Sequence, residues 1–447
     1  MLVFANHRGR DDQTGRWVHQ LRDWSGAAIP GNMMYPPIEM LYAASYLKKH
    51  GHSVDLVDGN AKHQSQEETV AEIVSKKPDY VATVSGWFSL NNDLEFFRAI
   101  KNAIPGCKTI MAGPNVTLEP DLALRSPHID FVALGEFIDG INEILTGSLS
   151  RNVAYRDKGE IRVEPMVPIE PLDRIPFADW SLIDPSLYWV PFTRNNPFAL
   201  AVTGVGCPHS KCTFCHQESY WGKAHRSHSA KYVIGEMDHL ISLGFREVIY
   251  RDQCFAARRE VVEALCRHLI DLGSPVTWRA STRVDRMDPE LLGLMAEAGC
   301  YQLSFGFESF SDAALNWCNK GATVADGDRV ARWTKEAGME LSGGFITGIP
   351  GEEVHSTREV LRLVRRRKID FPQFFLLSLI YDREKRRFVP IHEDQALLKR
   401  NQKKMRRLML SFYLDPRYMV SQAHRILTRD GLSRIPDLFL DFLRYFW

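Results

Sequence analysis

Long apolar runs are missing from this chain. None approaches the roughly 20 consecutive residues that cross a bilayer, so no membrane helix is expected. The N-terminus, MLVFANHRGRDD, lacks the basic, then apolar, then small-residue order of a secretory signal, which points to the cytoplasm. Net charge is missing too: 56 Lys and Arg stand against 55 Asp and Glu, so no global field selects nucleic acid or a membrane surface. Eight cysteines in 447 residues are too sparse for a small secreted disulfide scaffold. No glycine fingerprint of the nicotinamide-binding type follows the first apolar segment, which disfavours a dinucleotide.

What is present is material for two or three globular domains, 45% apolar and 25% charged. Over residues 1–150 short apolar segments at 1–5, 53–57, 80–84, 108–112 and 131–134 alternate with amphipathic stretches at 39–49, 67–75, 91–102 and 118–124. That rhythm buries both faces of a parallel sheet, and predicts an α/β, doubly wound, Rossmann-like domain. Its ligands belong beyond the C-terminal ends of the strands. The loops there carry Asn6, Asp58-Gly59-Asn60, Ser85-Gly86, Gly113-Pro114-Asn115 and Gly135-Glu136, a recurrence of small and polar residues that marks a ligand crevice.

Residues 151–196 break the rhythm with a hairpin around Lys158-Gly159 and a proline-punctuated linker, VPIEPLDRIPFADW. From Phe198 the alternation resumes with longer helices and strands near 198–203, 246–250, 276–280, 301–306, 341–347 and 373–379. Six strand-helix units are two short of a closed barrel, so 197–380 is expected to form an open, partial (β/α)6 barrel. Residues 381–447 are expected to be a short helical cap. Between 361 and 410 there are 15 Lys or Arg and five Asp or Glu. This is a solvated helical face, or a contact surface for an acidic protein, nucleic acid or phosphorylated substrate.

The sharpest local signal is GVGCPHSKCTFCHQESYWGK, directly after the first strand of the second region. Cys207, Cys212 and Cys215 fall within nine residues, on a loop where barrel active sites are built. Zinc would need a fourth ligand, for which His209, His216, His225 and His228 are at hand. An iron-sulfur cube held by three cysteines keeps one iron open for a substrate or cofactor. A redox or buried structural role is the third reading.

With these cysteines the sequence resembles the radical S-adenosylmethionine enzymes that carry an N-terminal cobalamin-binding domain, over residues 1 to about 380. The resemblance implies a [4Fe-4S] cluster on Cys207, Cys212 and Cys215, with Phe214 as the aromatic before the last cysteine. Four residues, not the usual three, separate the first two cysteines. EVIYRDQCF, TWRASTRVD, YQLSFGFES and ELSGGFITGIPGEE resemble later barrel strands and imply S-adenosylmethionine contacts at Asp252, Arg283, Glu308, Thr347 and Ile349. Buried salt bridges across the barrel mouth are the competing role for Arg283 and Glu308.

In the first domain YPPIEMLYAASYLKKHGHSVDLVDGNA and MAGPNVTLEPDLALRSPHIDFVALGE resemble the cobalamin-binding run. The resemblance implies cofactor contacts at Asn6, Gly59, Asn60, Ser85, Trp87, Gly113, Pro114, Asn115, Gly135 and Glu136, with Phe88 a further neighbour. The Asp-x-His-x-x-Gly motif is absent, since Asp58-Gly59-Asn60-Ala61 holds no histidine. What the resemblance implies chemically is a C-methyltransferase: a 5'-deoxyadenosyl radical abstracts hydrogen from an unactivated carbon, which takes methyl from methylcobalamin. The alternative is a cyclase or rearrangement enzyme without net methyl transfer, similar to anaerobic porphyrin ring closure. Implied partners are a small molecule or a peptide side chain as substrate and an electron donor such as flavodoxin or ferredoxin, with no membrane and no nucleic acid. A zinc-binding, non-catalytic nucleic-acid protein is the contrasting class.

Overall fold

The computed structural model describes residues 1–10, 17–20, 28–29, 34–86, 89–190, 193–222, 224–352, 356–382, 387–391 and 395–425. The chain divides into two compact units, with the change at Thr193/Arg194.

In the first unit β1 (Leu2–Ala5), β2 (Val54–Val57), β3 (Tyr80–Val84), β4 (Lys108–Ala112) and β5 (Phe131–Ala133) are parallel. Helices α1 (Ile38–Lys49), α2 (Gln66–Ser75), α3 (Leu90–Ala103) and α4 (Ile138–Thr146) connect or flank them. α2 starts where Ser65 and Glu68 form a reciprocal capping box. Apolar residues on β1, β3, β4 and α3, among them Val3, Val81, Met111, Phe96 and Phe97, are fully buried in one core. The hairpin β6 (Val153–Asp157) and β7 (Glu160–Val163) turns at Lys158-Gly159 as expected. The hairpin also joins the sheet: β6 pairs antiparallel with β5, giving the order β7-β6-β5-β4-β3-β1-β2. Residues 169–190 also pack on this unit, with Lys48 on Asp179 at 2.7 Å and an isolated bridge between Met34 and Trp189. A small ribbon of Gly9–Arg10, Trp17–Gln20 and Ala28–Ile29 lies between β1 and α1 in sequence, where only loop was expected.

The second unit holds six parallel strands in sequential order: β8 (Phe198–Ala201), β9 (Glu247–Tyr250), β10 (Thr277–Thr282), β11 (Cys300–Glu308), β12 (Glu340–Thr347) and β13 (Phe371–Leu376). The helices between them are α5 (Ala230–Ser242), α6 (Arg259–Asp271), α7 (Pro289–Glu297), α8 (Val324–Glu336) and α9 (Thr357–Arg366). Asp288 caps α7 by accepting from Leu291 N, and Pro289 occupies the first helical position, where its missing N–H costs nothing. Beyond β13 the chain is not helical at once. A hairpin, β14 (Leu379–Asp382) and β15 (Arg387–Pro390), precedes α10 (Gln395–Tyr413) and α11 (Pro416–Arg425). Short runs of β-branched and aromatic residues in LIYD and RFVP favour strands, a signal that the abundance of arginine nearby conceals.

Candidate active site

In the second unit the cysteine loop leaves β8 through a two-residue ribbon: Gly204–Val205 pairs antiparallel with Arg226–Ser227, tying the loop at its base. The loop's first residues are anchored from β9. Both Asp252 carboxylate oxygens accept from Thr203 N at 3.0 and 3.1 Å, and Oδ1 also accepts from the Thr203 hydroxyl. Gln253 Oε1 accepts from Gly206 N at 2.9 Å. Burial pushes the Asp252 carboxyl up to about 6, against the hydrogen bonds that hold it down. The structure therefore places Asp252 as a buried clamp on the loop's entry.

The far side of the loop rests on residues 318–321. Thr213 N donates to Cys318 O at 3.0 Å, Asn319 Nδ2 to Lys211 O at 3.3 Å, and the His209 ring meets Asn319 O at 2.6 Å. Gly321, at φ +67, leaves room for that ring, since a Cβ there would stand 2.7 Å from it. Two buried cations face the sulfurs. Lys320 Nζ bonds Glu308 Oε1 at 2.7 Å, and burial, which would lower its pKa, is outweighed by Glu308 and the Cys212 thiolate, which raise it. Arg283, 4% exposed, is shared between Asp285, at 2.8 and 3.1 Å, and Lys320 O at 2.8 Å. Burial opposes its charge, and Asp285, Cys207 and Cys212 restore it. Glu308 ends β11 at φ +61, where a non-glycine residue costs about 1–3 kcal/mol, beside a register shift. A side chain on Gly306 would collide with the Glu308–Lys320 pair.

Burial raises Cys212 and Cys215 above the ordinary thiol range, while Lys320 lowers both. Cys212 feels the charge of Cys207, and Cys215 that of both Cys207 and Cys212. Phe214 packs with Ala314, Cys318, Ile346, Ile349 and Leu377. Ile349 therefore lies in the apolar wall beside the loop, while the Thr347 hydroxyl donates to Phe375 O at 2.9 Å and locks β12 to β13.

The histidines offered for zinc are otherwise employed: His209 as above, His225 on Gly206 O at 3.1 Å, and His228 stacked on Tyr232 with centroids 3.7 Å apart. His216 is buried and held neutral, at about 4. Among the described residues no three His, Cys, Asp or Glu side chains are gathered around one metal ion. A closed zinc site needs four donors around one point, whereas a cube takes one thiolate on each of three irons. Three thiols with two cations beside them suit the cube.

In the first unit β1 is flanked by β2 on one side and β3 on the other. That is the topological switch point of a 2-1-3-4-5 sheet, where ligands bind. Asn6 and Asn60 meet there through Asn60 N on Asn6 O at 3.0 Å, and Asn6 Nδ2 donates to Asp58 Oδ1 at 3.0 Å. Among the described residues the buried Asn6 Oδ1 has no hydrogen-bond partner, an acceptor left for a ligand donor such as the amides around a corrin. Asn115 Nδ2 donates to Ser85 Oγ at 3.1 Å and Gly86 O at 2.9 Å. Gly113, at φ +128, abuts the Ser85 carbonyl so closely that no side chain fits. Pro114 opens the short helix Pro114–Leu118, and Gly135 N donates to Thr117 Oγ1 at 3.0 Å, next to Glu136. Gly59 is pressed against Thr69 of α2, where no side chain fits. Trp87 and Phe88 lie outside the described residues.

Two family models match the chain. One, the radical SAM superfamily, matches residues 201–364, and the other, the B12 binding domain, matches residues 30–145; together they cover more than half of it. The chain is a radical SAM protein with a B12-binding domain. An uncharacterized methyltransferase of Pyrococcus horikoshii is 26% identical over 86% of this chain and 89% of its own length. The anaerobic magnesium-protoporphyrin IX monomethyl ester cyclase of Rubrivivax gelatinosus is 28% identical over 78% of this chain and 65% of that one. The radical S-adenosylmethionine methyltransferase TsrM of Kitasatospora setae has the same fold, with a TM-score of 0.64 at 16% identity over 85% of this chain and 73% of that one. A radical SAM domain uses a [4Fe-4S] cluster and S-adenosylmethionine, and a B12-binding domain uses cobalamin.

Sequence reasoning missed several residues of this radical SAM protein. Lys320 and Gln253 carry no motif of their own and become legible only when the 318–321 turn and the end of β9 are brought to the cysteine loop. His7 was also passed over. Its Nε2 lies 2.9 Å from Asp93 Oδ1 with both side chains fully buried, and it stacks on Phe96 at 4.0 Å. Tyr188, from the proline-rich stretch, donates to Asp58 Oδ2 at 2.7 Å.

Proposed function

We propose that this chain is a cobalamin-dependent radical SAM C-methyltransferase acting on an unactivated carbon of a small molecule or a peptide side chain. The observation that carries the proposal is that one chain bears both sites at the C-terminal ends of parallel strands: three thiols flanked by Arg283 and Lys320, and a switch-point crevice with an orphaned Asn6 acceptor. When bound, the cofactors supply one-electron cleavage of S-adenosylmethionine and a transferable methyl group. The protein's work is positioning. Cys207, Cys212 and Cys215 hold the cluster, Asp252 and Gln253 fix the loop's entry, and the 318–321 turn fixes its far side. Arg283 and Lys320, each held by a carboxylate, Asp285 and Glu308, oppose the burial that raises the Cys212 thiol and so favour its ionised, metal-binding form. Asn6, Asn60, Ser85, Gly113, Pro114, Asn115, Gly135 and Glu136 line the cobalamin crevice in this reading, with Trp87 and Phe88 as further neighbours.

The Pyrococcus relative bears a methyltransferase name, and the cyclase relative keeps ring closure as the second reading. The same reading sets the protein in the cytoplasm with a flavodoxin- or ferredoxin-type electron donor. Among the described residues no helix is long and apolar enough to cross a membrane. The test is an anaerobic incubation with S-adenosylmethionine carrying a deuterated methyl group, after the substrate has been found by comparing a deletion strain with its parent. A product heavier by the labelled methyl supports the proposal, and an unlabelled ring-closed product refutes it.

A further inference from the structure

A second cavity of about 1030 Å³ opens at the same end of the barrel, between residues 348–352 after β12, the first turn of α9 at Ser356 and Thr357, and α10. Its size is that of a small-molecule site. Ile349 belongs both to its wall and to the apolar cluster that holds Phe214, so the cavity adjoins the cysteine loop. Gly348, at φ +93, lets α10 come close, since a Cβ there would stand 2.7 Å from Asn401 Nδ2.

The charge on this wall is one-sided. α10 contributes Lys399, Arg400, Lys403, Lys404, Arg406 and Arg407, and Glu352 is the one carboxylate among the described lining residues. Lys404 reaches Glu352 only at 4.0 Å. The other five cations have no carboxylate within ion-pair distance among the described residues. Some cations elsewhere in this unit are paired, Arg365 with Asp415 at 2.6 Å, Arg367 with Asp328 at 2.6 Å, and Arg259 with Glu263, Asp288 and Glu290, and others such as Arg246, Arg286 and Arg362 stand singly among the described residues, whereas α10 gathers six on one cavity wall. A solvated helical face ordinarily mixes signs, because like charges three or four residues apart repel. α10 instead stacks Lys399 on Lys403, Arg400 on Lys404 and Lys403 on Arg407, and residues 395–413 contain no Asp or Glu.

We infer that this cavity binds a phosphate or diphosphate group of the substrate, which makes the substrate a small phosphorylated molecule. The inference rests on the methyltransferase reading for what happens at the other end of that molecule. Clustered arginines and lysines recognise phosphate through charge-assisted, often bidentate, hydrogen bonds.

The experiment is calorimetric titration of the full-length holoprotein, anaerobically and at constant ionic strength, with inorganic pyrophosphate, succinate and a single-stranded oligonucleotide. Pyrophosphate is expected to bind with a sub-millimolar constant and succinate far more weakly. The double variant Arg400→Gln/Lys403→Gln should weaken pyrophosphate at least about tenfold, and Arg400→Lys/Lys403→Arg should recover most of the loss. Lys231→Gln, at an exposed position of α5, should leave the binding unchanged. Iron and cobalamin content report that each variant is folded. Absence of pyrophosphate binding, equal binding by the glutamine variant, or tighter binding of the oligonucleotide with a steep salt dependence overturns the inference. Failure of the two readings is distinguishable. Pyrophosphate binding without methyl transfer refutes the methyltransferase reading alone, and methyl transfer without pyrophosphate binding refutes this one alone.

Discussion

The two units solve a similar architectural problem with different chemistry. Both lay loops over the C-terminal ends of parallel strands. In the first unit those loops are knit largely by amide and hydroxyl groups: Asn6 bonds the Asp58 carboxylate, Asn60 N bonds Asn6 O, and Asn115 bonds Ser85 Oγ and Gly86 O, with the buried His7–Asp93 pair beside them. In the second unit the ion pairs Lys320–Glu308 and Arg283–Asp285 stand by the cysteine loop, where Lys320, Glu308 and Arg283 act on the Cys212 sulfur. The difference follows the ligand: a large ring with peripheral amides calls for shape and hydrogen bonds, whereas thiolates on iron call for nearby cations. Strand order differs in the same sense. A reversal of order at β1 opens a crevice in the first unit, and a sequential order lines up successive loops around one mouth in the second.

The comparison breaks first at the cysteines. Replacing Cys207, Cys212 and Cys215 together by alanine should remove roughly four irons and the brown absorbance while cobalamin binding persists. Loss of both cofactors in parallel would show that the two sites are not independent. Next comes the buried ion pair. Lys320→Ala leaves Glu308 charged and unpaired at 8% exposure, and should cost about 3–5 kcal/mol in denaturant melts, confined to the second unit, together with a lower iron content.

Much of this was legible in the sequence. The period of alternation located all five parallel strands of the first unit and all six of the second, because buried parallel strands are short apolar runs bounded by turn residues. The cysteine loop was legible from spacing alone. Contacts made by isolated residues far apart in the chain were not, Lys320, Gln253, His7 and Tyr188 among them, since nothing local distinguishes them from surface or core. Asp252, Thr347 and Gly59, expected as ligand contacts, also contact the chain itself, at Thr203, Phe375 and Thr69. Position at a strand's end shows that a side chain is near the mouth, not which way its hydrogen bonds run.

A subtler contrast concerns carboxyls with no cation. Glu39, in the first turn of α1, is 6% exposed, and burial pushes it up to about 8 from 4.5. A carboxyl whose folded pKa is raised contributes stability that is full below its unfolded pKa and lost as pH rises through the folded one. Stability of the first unit should therefore fall between about pH 4.5 and 8, by up to roughly 1.4 kcal/mol per pH unit. Glu39→Gln should melt higher than the parent, with a gap that widens from pH 5 to pH 8. A gap independent of pH would refute the buried, protonated assignment. The smallest effect is spectroscopic. Both ring nitrogens of His7 lie within hydrogen-bonding distance of oxygen, Asp93 Oδ1 at 2.9 Å and Arg8 O at 3.1 Å, and the Asp58-Gly59-Asn60 loop has no histidine. The cobalt(II) resonance of the loaded protein should show no nitrogen splitting from a histidine, and such a splitting would contradict the account of the crevice.

The central claim, that one chain joins adenosyl-radical and methyl-transfer chemistry, is tested most directly by stoichiometry in a single anaerobic turnover assay. The account predicts one 5'-deoxyadenosine and one S-adenosylhomocysteine for each methylated product. Product formed with 5'-deoxyadenosine but without S-adenosylhomocysteine would contradict it.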